Sequence, residues 1–233
     1  MNETFFTILF VLVFFSPVFY QLFLVIRENK NGTIVVLIKL KKYLIYSILG
    51  FIPIAVLVLT LNRINFINYQ SPMPYSQIEK ISFLDFKGYE FFKKAFNGSN
   101  QFAYIVTTID SEINNDNVRI ESFFHPARSF VYNSHAYDND LLAHELYHFR
   151  ITEIYARKIR QELTGLEQVT KNEINGIIKR IKRNEREYQQ KYDFDTYHSQ
   201  INKEQNKYEK EIDSLLLLLN EFKESKININ VKN

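Results

Sequence analysis

The stretch Leu141-Leu142-Ala143-His144-Glu145-Leu146-Tyr147-His148-Phe149-Arg150-Ile151-Thr152-Glu153-Ile154-Tyr155 carries an H-E-x-x-H pattern inside an apolar periodicity of helical spacing. Leu141, Leu142, Glu145, His148, Thr152 and Tyr155 follow that spacing. Asp138, Asn139 or Asp140 can cap the start, and Gly165 follows the end, so a helix is predicted from Asp138 to about Leu163. Four residues turn a helix by about 400°, which projects His144 and His148 from one face, one turn apart. Two imidazole nitrogens so placed can reach one zinc ion at about 2.0–2.1 Å. Glu145 can reach a water at the open coordination position, take its proton as the water attacks a peptide carbonyl, and pass that proton to the leaving amine. The plain alternative is a pair of surface histidines on an amphipathic helix. The apolar lead-in Leu141-Leu142-Ala143 and the strands that precede it favour the metal site.

A catalytic zinc takes a third protein ligand. Cysteine is absent, so no thiolate and no disulfide is available, and His, Asp, Glu or backbone oxygen must serve. The remaining histidines are His125, His135 and His198. Glu153 lies about 140° around the helix from His148, which makes it a neighbour that supports the ligands, or a surface charge. His198, in Tyr192-Asp193-Phe194-Asp195-Thr196-Tyr197-His198, is either a ligand brought in by a helix packing back on the motif or a solvated turn histidine. Asp193 or Asp195 can orient it or serve the turn. Tyr155 and Tyr197 are candidate donors to an oxyanion, with core packing the default for Tyr155. His125 and His135 are expected in loops or a substrate cleft.

Upstream of the motif, Gln101–Ile109 is rich in aromatic and β-branched residues, and Val118–Phe124 alternates apolar and polar. With Asp110–Asn117 as a polar turn they predict an antiparallel hairpin, and Ser129–Tyr132 a short third strand. Downstream, helices are predicted over about 167–191 and 200–222, the latter holding Leu215–Leu219, with the last ten residues frayed. The leucines suit packing on their own domain better than self-association. The basic run Lys179-Arg180-Ile181-Lys182-Arg183 reads as a solvated helix face.

The N-terminal third is of different character. Phe5–Ile26 and Tyr43–Leu61 are apolar runs long enough to cross a hydrocarbon core of about 30 Å. The first lacks the basic start and the small-residue cleavage site of a signal peptide, so a retained span is expected. Arg27, Lys30, Lys39, Lys41 and Lys42 lie between the runs, opposed only by Glu28. By the positive-inside rule this loop, 27–42, is cytoplasmic and the chain beyond Leu61 is extracytoplasmic. Thr33–Leu40 either continues the second span or lies on the membrane surface. The expected organisation is a two-span lipid anchor over 1–63, a linker over 64–79 and an outer domain over 80–233. A net charge of +3 over 233 residues does not point to nucleic acid.

The motif helix, with its continuation Ala156-Arg157-Lys158, resembles L-L-A-H-E-Q-x-H-F-D-I-x-E-x-x-A-R of a bacterial family of secreted zinc-dependent proteases long catalogued as a domain of unknown function. Asp85-Phe86-Lys87-Gly88 is similar to the family's D-F-x-G, Arg128-Ser129-Phe130-Val131 to its K-S-W-V, and Tyr192–His198 to its Y-D-x-x-T-x-H. The resemblance covers about residues 80–210. It implies a zincin-like α+β fold, with a small antiparallel sheet beside about three long helices, and His198 as third zinc ligand with His144 and His148. Leu146 stands for the family's Gln, Arg150 for its Asp, Phe130 for its Trp and Ser199 for a Gly. Arg150 reverses a charge near the site and bears on substrate preference.

The sequence thus leads to a membrane-anchored zinc metallopeptidase of the bacterial envelope acting on an extracytoplasmic protein or peptide. The alternative is a non-catalytic membrane-anchored zinc-binding sensory or interaction module. An amidase of cell-wall peptide bonds would use similar chemistry.

Overall fold

The computed structural model describes residues 3–28, 34–63, 70–88, 102–132, 137–166 and 168–232. Two units divide at Ile67 and Asn68. In the first unit, α1 (Glu3–Phe14) and α2 (Ser16–Glu28) replace the single helix expected over the first apolar run. Pro17 explains the break, because it has no N–H to give to the preceding turn. One helix, α3 (Ile34–Arg63), is continuous through the basic residues, so the stretch after Thr33 continues the second apolar run. Its segment Leu37–Leu57 is long and apolar enough to cross a membrane, and none of it is buried within the protein. It is the one such helix among the described residues. Phe14 and Phe51 meet edge to face at 5.7 Å between ring centres.

The second unit is α+β. Its strands are β1 (Met73–Pro74), β2 (Ala103–Tyr104), β3 (Thr107–Ile113), β4 (Asn117–Phe124), β5 (Phe130–Val131), β6 (Gln168–Thr170), β7 (Lys226–Asn228) and β8 (Asn230–Lys232). Its helices are α4 (Asn139–Thr164), α5 (Lys171–Thr196) and α6 (Asn202–Leu218). The expected hairpin forms as β3–β4, but β3 runs through Asp110–Ile113, pairing Ile113 with Val118. The turn is therefore the short Asn114–Asp116, not all of Asp110–Asn117. Polar residues sit in β3 because its outward positions are exposed. β1 and β7 pair with the other side of β4, so that among the described residues β3 lies at the edge of the sheet. The short β5 pairs with β2 in a separate ladder.

Helix α4 starts at the Asp138 cap, as its sequence predicts, and is buried along nearly its whole length. One side packs Ile151, Ile154, Ile159 and Leu163 against α5, α6 and the hairpin. The other sets Leu141 and Phe149 against Ile78, Phe83, Phe86 and Phe124. Residues 70–79, expected within a linker, are part of this packing: Met73–Pro74 pairs with β4 and Ile78 is buried. Helix α5 begins later than its apolar pattern suggests, at a reciprocal cap in which Thr170 and Glu173 bond each other's backbone N–H. It also runs five residues beyond the expected end at Lys191, to Thr196. Helix α6 gives way to a 3-10 turn at Asn220–Phe222. The tail expected to fray instead supplies β7, paired with β4, and β8, parallel to β6. Leu219 is buried while Leu217 and Leu218 are exposed, so the leucine run packs only in part.

Candidate metal centre

The helical spacing brings the two histidines of α4 together as expected: the Nε2 atoms of His144 and His148 are 3.3 Å apart. Two Zn–N bonds of about 2.0–2.1 Å at a tetrahedral angle place their nitrogens about 3.3–3.4 Å apart, so the pair fits one zinc ion. Both rings are held from behind. The side-chain oxygen of Gln205 faces His144 Nδ1 at 3.0 Å, and that of Gln189 faces Nδ1 of His148. The amide orientations follow from their other bonds. Gln189 donates its NH2 to the His148 carbonyl at 2.9 Å, and Gln205 donates to the Glu209 carboxylate at 2.9 Å. Each glutamine oxygen therefore accepts from Nδ1–H, which leaves each Nε2 facing the shared focus, able to bind a metal through its lone pair or, when protonated, to donate to Asp193. Tyr192 stacks on His144 at 4.7 Å and bonds Gln205 through its hydroxyl.

Asp193 Oδ1 stands at that focus. It is 2.8 Å from His148 Nε2, 3.2 Å from His144 Nε2 and 3.3 Å from His198 Nδ1. His144, His148 and Asp193 offer atoms that all lie within 4.8 Å of one another. Burial opposes a charge on Asp193, but hydrogen bonds from the three histidines hold its carboxyl far below the usual carboxylate range. Burial likewise opposes a charge on His148, yet the Asp193 hydrogen bond and charge push it up to about 9. Asp193 thus has a more direct place at the centre than the orienting role the sequence suggested. His198 comes to the same place through three consecutive left-handed residues, Tyr197, His198 and Ser199, at φ 48°, 51° and 68°.

Glu145 is buried, and its Oε2 accepts the Ile105 N–H at 2.8 Å. It lines a cleft of about 580 Å3 that also holds His148, Asp193 and His198. Residues 102–109 form one wall and α5 the other. Helix α4 thus places Glu145 beside its two histidines and in the lining of the cleft.

The other candidates fall elsewhere. Glu153 accepts from Ser122 Oγ, from Arg157 Nε at 2.9 Å and from Arg160 Nη1 at 3.0 Å, in a buried ion network away from the histidines. Tyr155 packs in the core beside Tyr188. Tyr197 caps α5, partly exposed. Asp195 accepts from the Tyr208 hydroxyl and so fastens α5 to α6. His125 is buried behind the cleft wall on Thr108, and His135 lies outside the described residues. Arg150 is turned away from the centre, over the Tyr147 ring and bonded to Asp213 at 3.0 Å, so its reversed charge serves the contact with α6. Gln189 and Gln205 carry no sequence signature, whereas Tyr192 is the first residue of the Y-D-x-x-T-x-H stretch. Only the helical spacing of Gln189, four residues before Asp193, hints that it shares those surroundings.

Residues 128–199 match the model of a family described as bacterial protein of unknown function (DUF922). That span runs from the first residue of Arg128-Ser129-Phe130-Val131 to the residue after His198, and leaves Asp85–Gly88 outside. No curated protein and no solved structure matches the chain.

Proposed function

We propose that the chain is a membrane-anchored zinc metallopeptidase with a zincin-like domain, cleaving an extracytoplasmic protein or peptide. The observation that carries this reading is the paired Nε2 atoms of His144 and His148, each freed for a metal by a glutamine on its Nδ1, with Glu145 next to them in the cleft. His144, His148 and His198 would hold the ion, with Asp193 able to coordinate it from the same focus.

When bound, zinc supplies Lewis acidity toward water and the substrate carbonyl. Glu145 takes a proton from the attacking water while the oxygen–carbon bond forms. As the carbon–nitrogen bond breaks, Glu145 returns that proton to the leaving amine. The Ile105 N–H keeps one carboxylate oxygen fixed during this exchange. Anchorage through the apolar N-terminal helices, with the basic segment 27–42 on the cytoplasmic side, is part of the same proposal.

The test is zinc content and peptide hydrolysis of the full chain in detergent. About one zinc per chain is expected, retained with loss of hydrolysis in Glu145→Gln. His198→Ala is expected to lose most of the zinc, whereas Asp193→Asn retains it if His198 is the third ligand. Absence of zinc from the folded parent chain would sink the reading. Zinc binding with hydrolysis unaffected by Glu145→Gln would remove Glu145 from the chemistry, and zinc binding without any hydrolysis would favour a non-catalytic zinc-binding module.

A further inference from the structure

The cleft extends well beyond the metal centre, and its far end is positively charged. Lys182, Glu185, Arg186, Gln189 and Asp193 lie on one face of α5 and line it in that order toward the histidines. Lys182 and Arg186 make no ion pair among the described residues. Glu185 stands between them, but its carboxylate accepts from Thr152 Oγ1 at 2.9 Å and is directed into the protein. A second hollow, of about 200 Å3, continues from Arg186 along Arg183, Arg180 and Lys179. Arg180 is paired with Glu162, and Arg183 is 4.0 Å from Glu187. Glu185 partly offsets Lys182 and Arg186, and with Lys179 beyond them this end keeps a net positive charge. Opposite them, Thr107, Thr108 and Ile109 belong to β3, whose outer edge has no strand partner among the described residues. Such an edge offers a row of backbone donors and acceptors to an extended chain.

The spacing gives the register. Arg186 and Lys182 precede Asp193 by seven and eleven residues, which is about 10 and 16 Å along a helix. An extended peptide covers that distance in about three to five residues. We propose that the cleft selects an extended peptide with acidic side chains three to five residues from the bond to be cut, held by Lys182 and Arg186. This rests on the metallopeptidase reading for the position of the cut, whereas the binding preference can be measured apart from it.

The probes are fluorescein-labelled dodecapeptides of Ala, Ser and Thr with one central Leu. They carry three Glu, three Gln or three Lys at positions three to five from that Leu, on its N-terminal or its C-terminal side. Binding is measured by anisotropy on the full zinc-loaded chain carrying Glu145→Gln, in detergent at low salt. One Glu peptide is expected to bind about tenfold more tightly than its Gln counterpart. Adding Lys182→Glu with Arg186→Glu is expected to move the preference to the Lys peptide. Both positions are accessible and outside the core, and circular dichroism checks that the double variant stays folded. Equal binding of Glu and Gln peptides, no binding of any, or the same preference after charge reversal would overturn the inference. Failure of the metallopeptidase reading looks different: the Glu peptide binds with the expected preference, yet the unsubstituted zinc-loaded chain leaves it uncut.

Discussion

Gln205 of α6 holds His144 of α4 by its Nδ1 at 3.0 Å, across sixty-one positions of sequence. Gln189 of α5 does the same for His148. Each of the three long helices of the second unit thus contributes to the direction in which the two Nε2 atoms point. Replacing either glutamine with Leu keeps the volume roughly and removes the acceptor. Zinc affinity is expected to fall about 10- to 100-fold, read by competition with a chromophoric chelator. Unchanged affinity in a folded variant would mean that packing against Tyr192 alone orients the rings.

The turn after α5 carries backbone strain. Ser199 has φ 68°, where a side chain costs about 1–2 kcal/mol and glycine costs little. Ser199→Gly is expected to stabilise the domain by about 1 kcal/mol, after the larger entropy of the unfolded glycine is subtracted. Thermal unfolding would show it as a rise of about 2–4 °C. A fall in melting temperature would show that the serine side chain makes a compensating contact.

Gly88 has the opposite problem. A Cβ there would lie 2.7 Å from the Arg128 carbonyl carbon and 2.8 Å from the Arg128 and Ser129 oxygens, all of them backbone. Its N–H already bonds the Ser129 carbonyl at 2.6 Å. Gly88→Ala is expected to destabilise by about 1–3 kcal/mol, seen as a lower urea midpoint. An unchanged midpoint would mean that the 126–129 turn can retreat without cost.

His125 gives the domain a pH dependence of its own. It is 1 % exposed, its Nε2 meets Thr108 Oγ1 at 2.8 Å, and its Nδ1 has no hydrogen-bond partner among the described residues. Burial, and then the Arg128 charge, lower its pKa from 6.5 to about 4. The unfolded chain therefore takes up this proton first. The stability held above pH 6.5 is lost as pH falls toward 4, by about 2 kcal/mol at pH 5. Urea unfolding at pH 7 and pH 5 should show that loss in the parent chain and a smaller one in His125→Gln. Equal losses would indicate that His125 takes up its proton equally in the folded and unfolded states.

What the sequence revealed was what local spacing encodes. The period of Leu141–Tyr155 placed α4 nearly to the residue, and the interval from His144 to His148 placed two ligands on one side of it. The alternation in Val118–Phe124 placed β4. Long-range partners were hidden. Glu153 and Arg157 stand four apart, a spacing that allows their ion pair, and Ile227, Ile229 and Val231 alternate with polar residues as a strand does. Neither pattern names the distant partners, the Arg160 bonds to the Phe222 and Lys223 carbonyls and the pairing of the tail with β4 and β6. The start of α5 was written in Thr170-x-x-Glu173, a local signal obscured by the apolar pattern around it. The role of Gln205 depends on how α6 packs, which no spacing within α6 encodes.

The tail has a consequence for the order in which the molecule matures. Arg160 of α4 bonds the Phe222 and Lys223 carbonyls at 2.8 and 3.1 Å, and β7 and β8 then close onto β4 and β6. Every residue of the metal centre is synthesised before this segment. The clasp that fixes α4 against the sheet therefore leaves the ribosome after the whole metal centre, and until it emerges the histidines sit on a helix that is not yet fastened in place. Biosynthesis itself delays a finished centre.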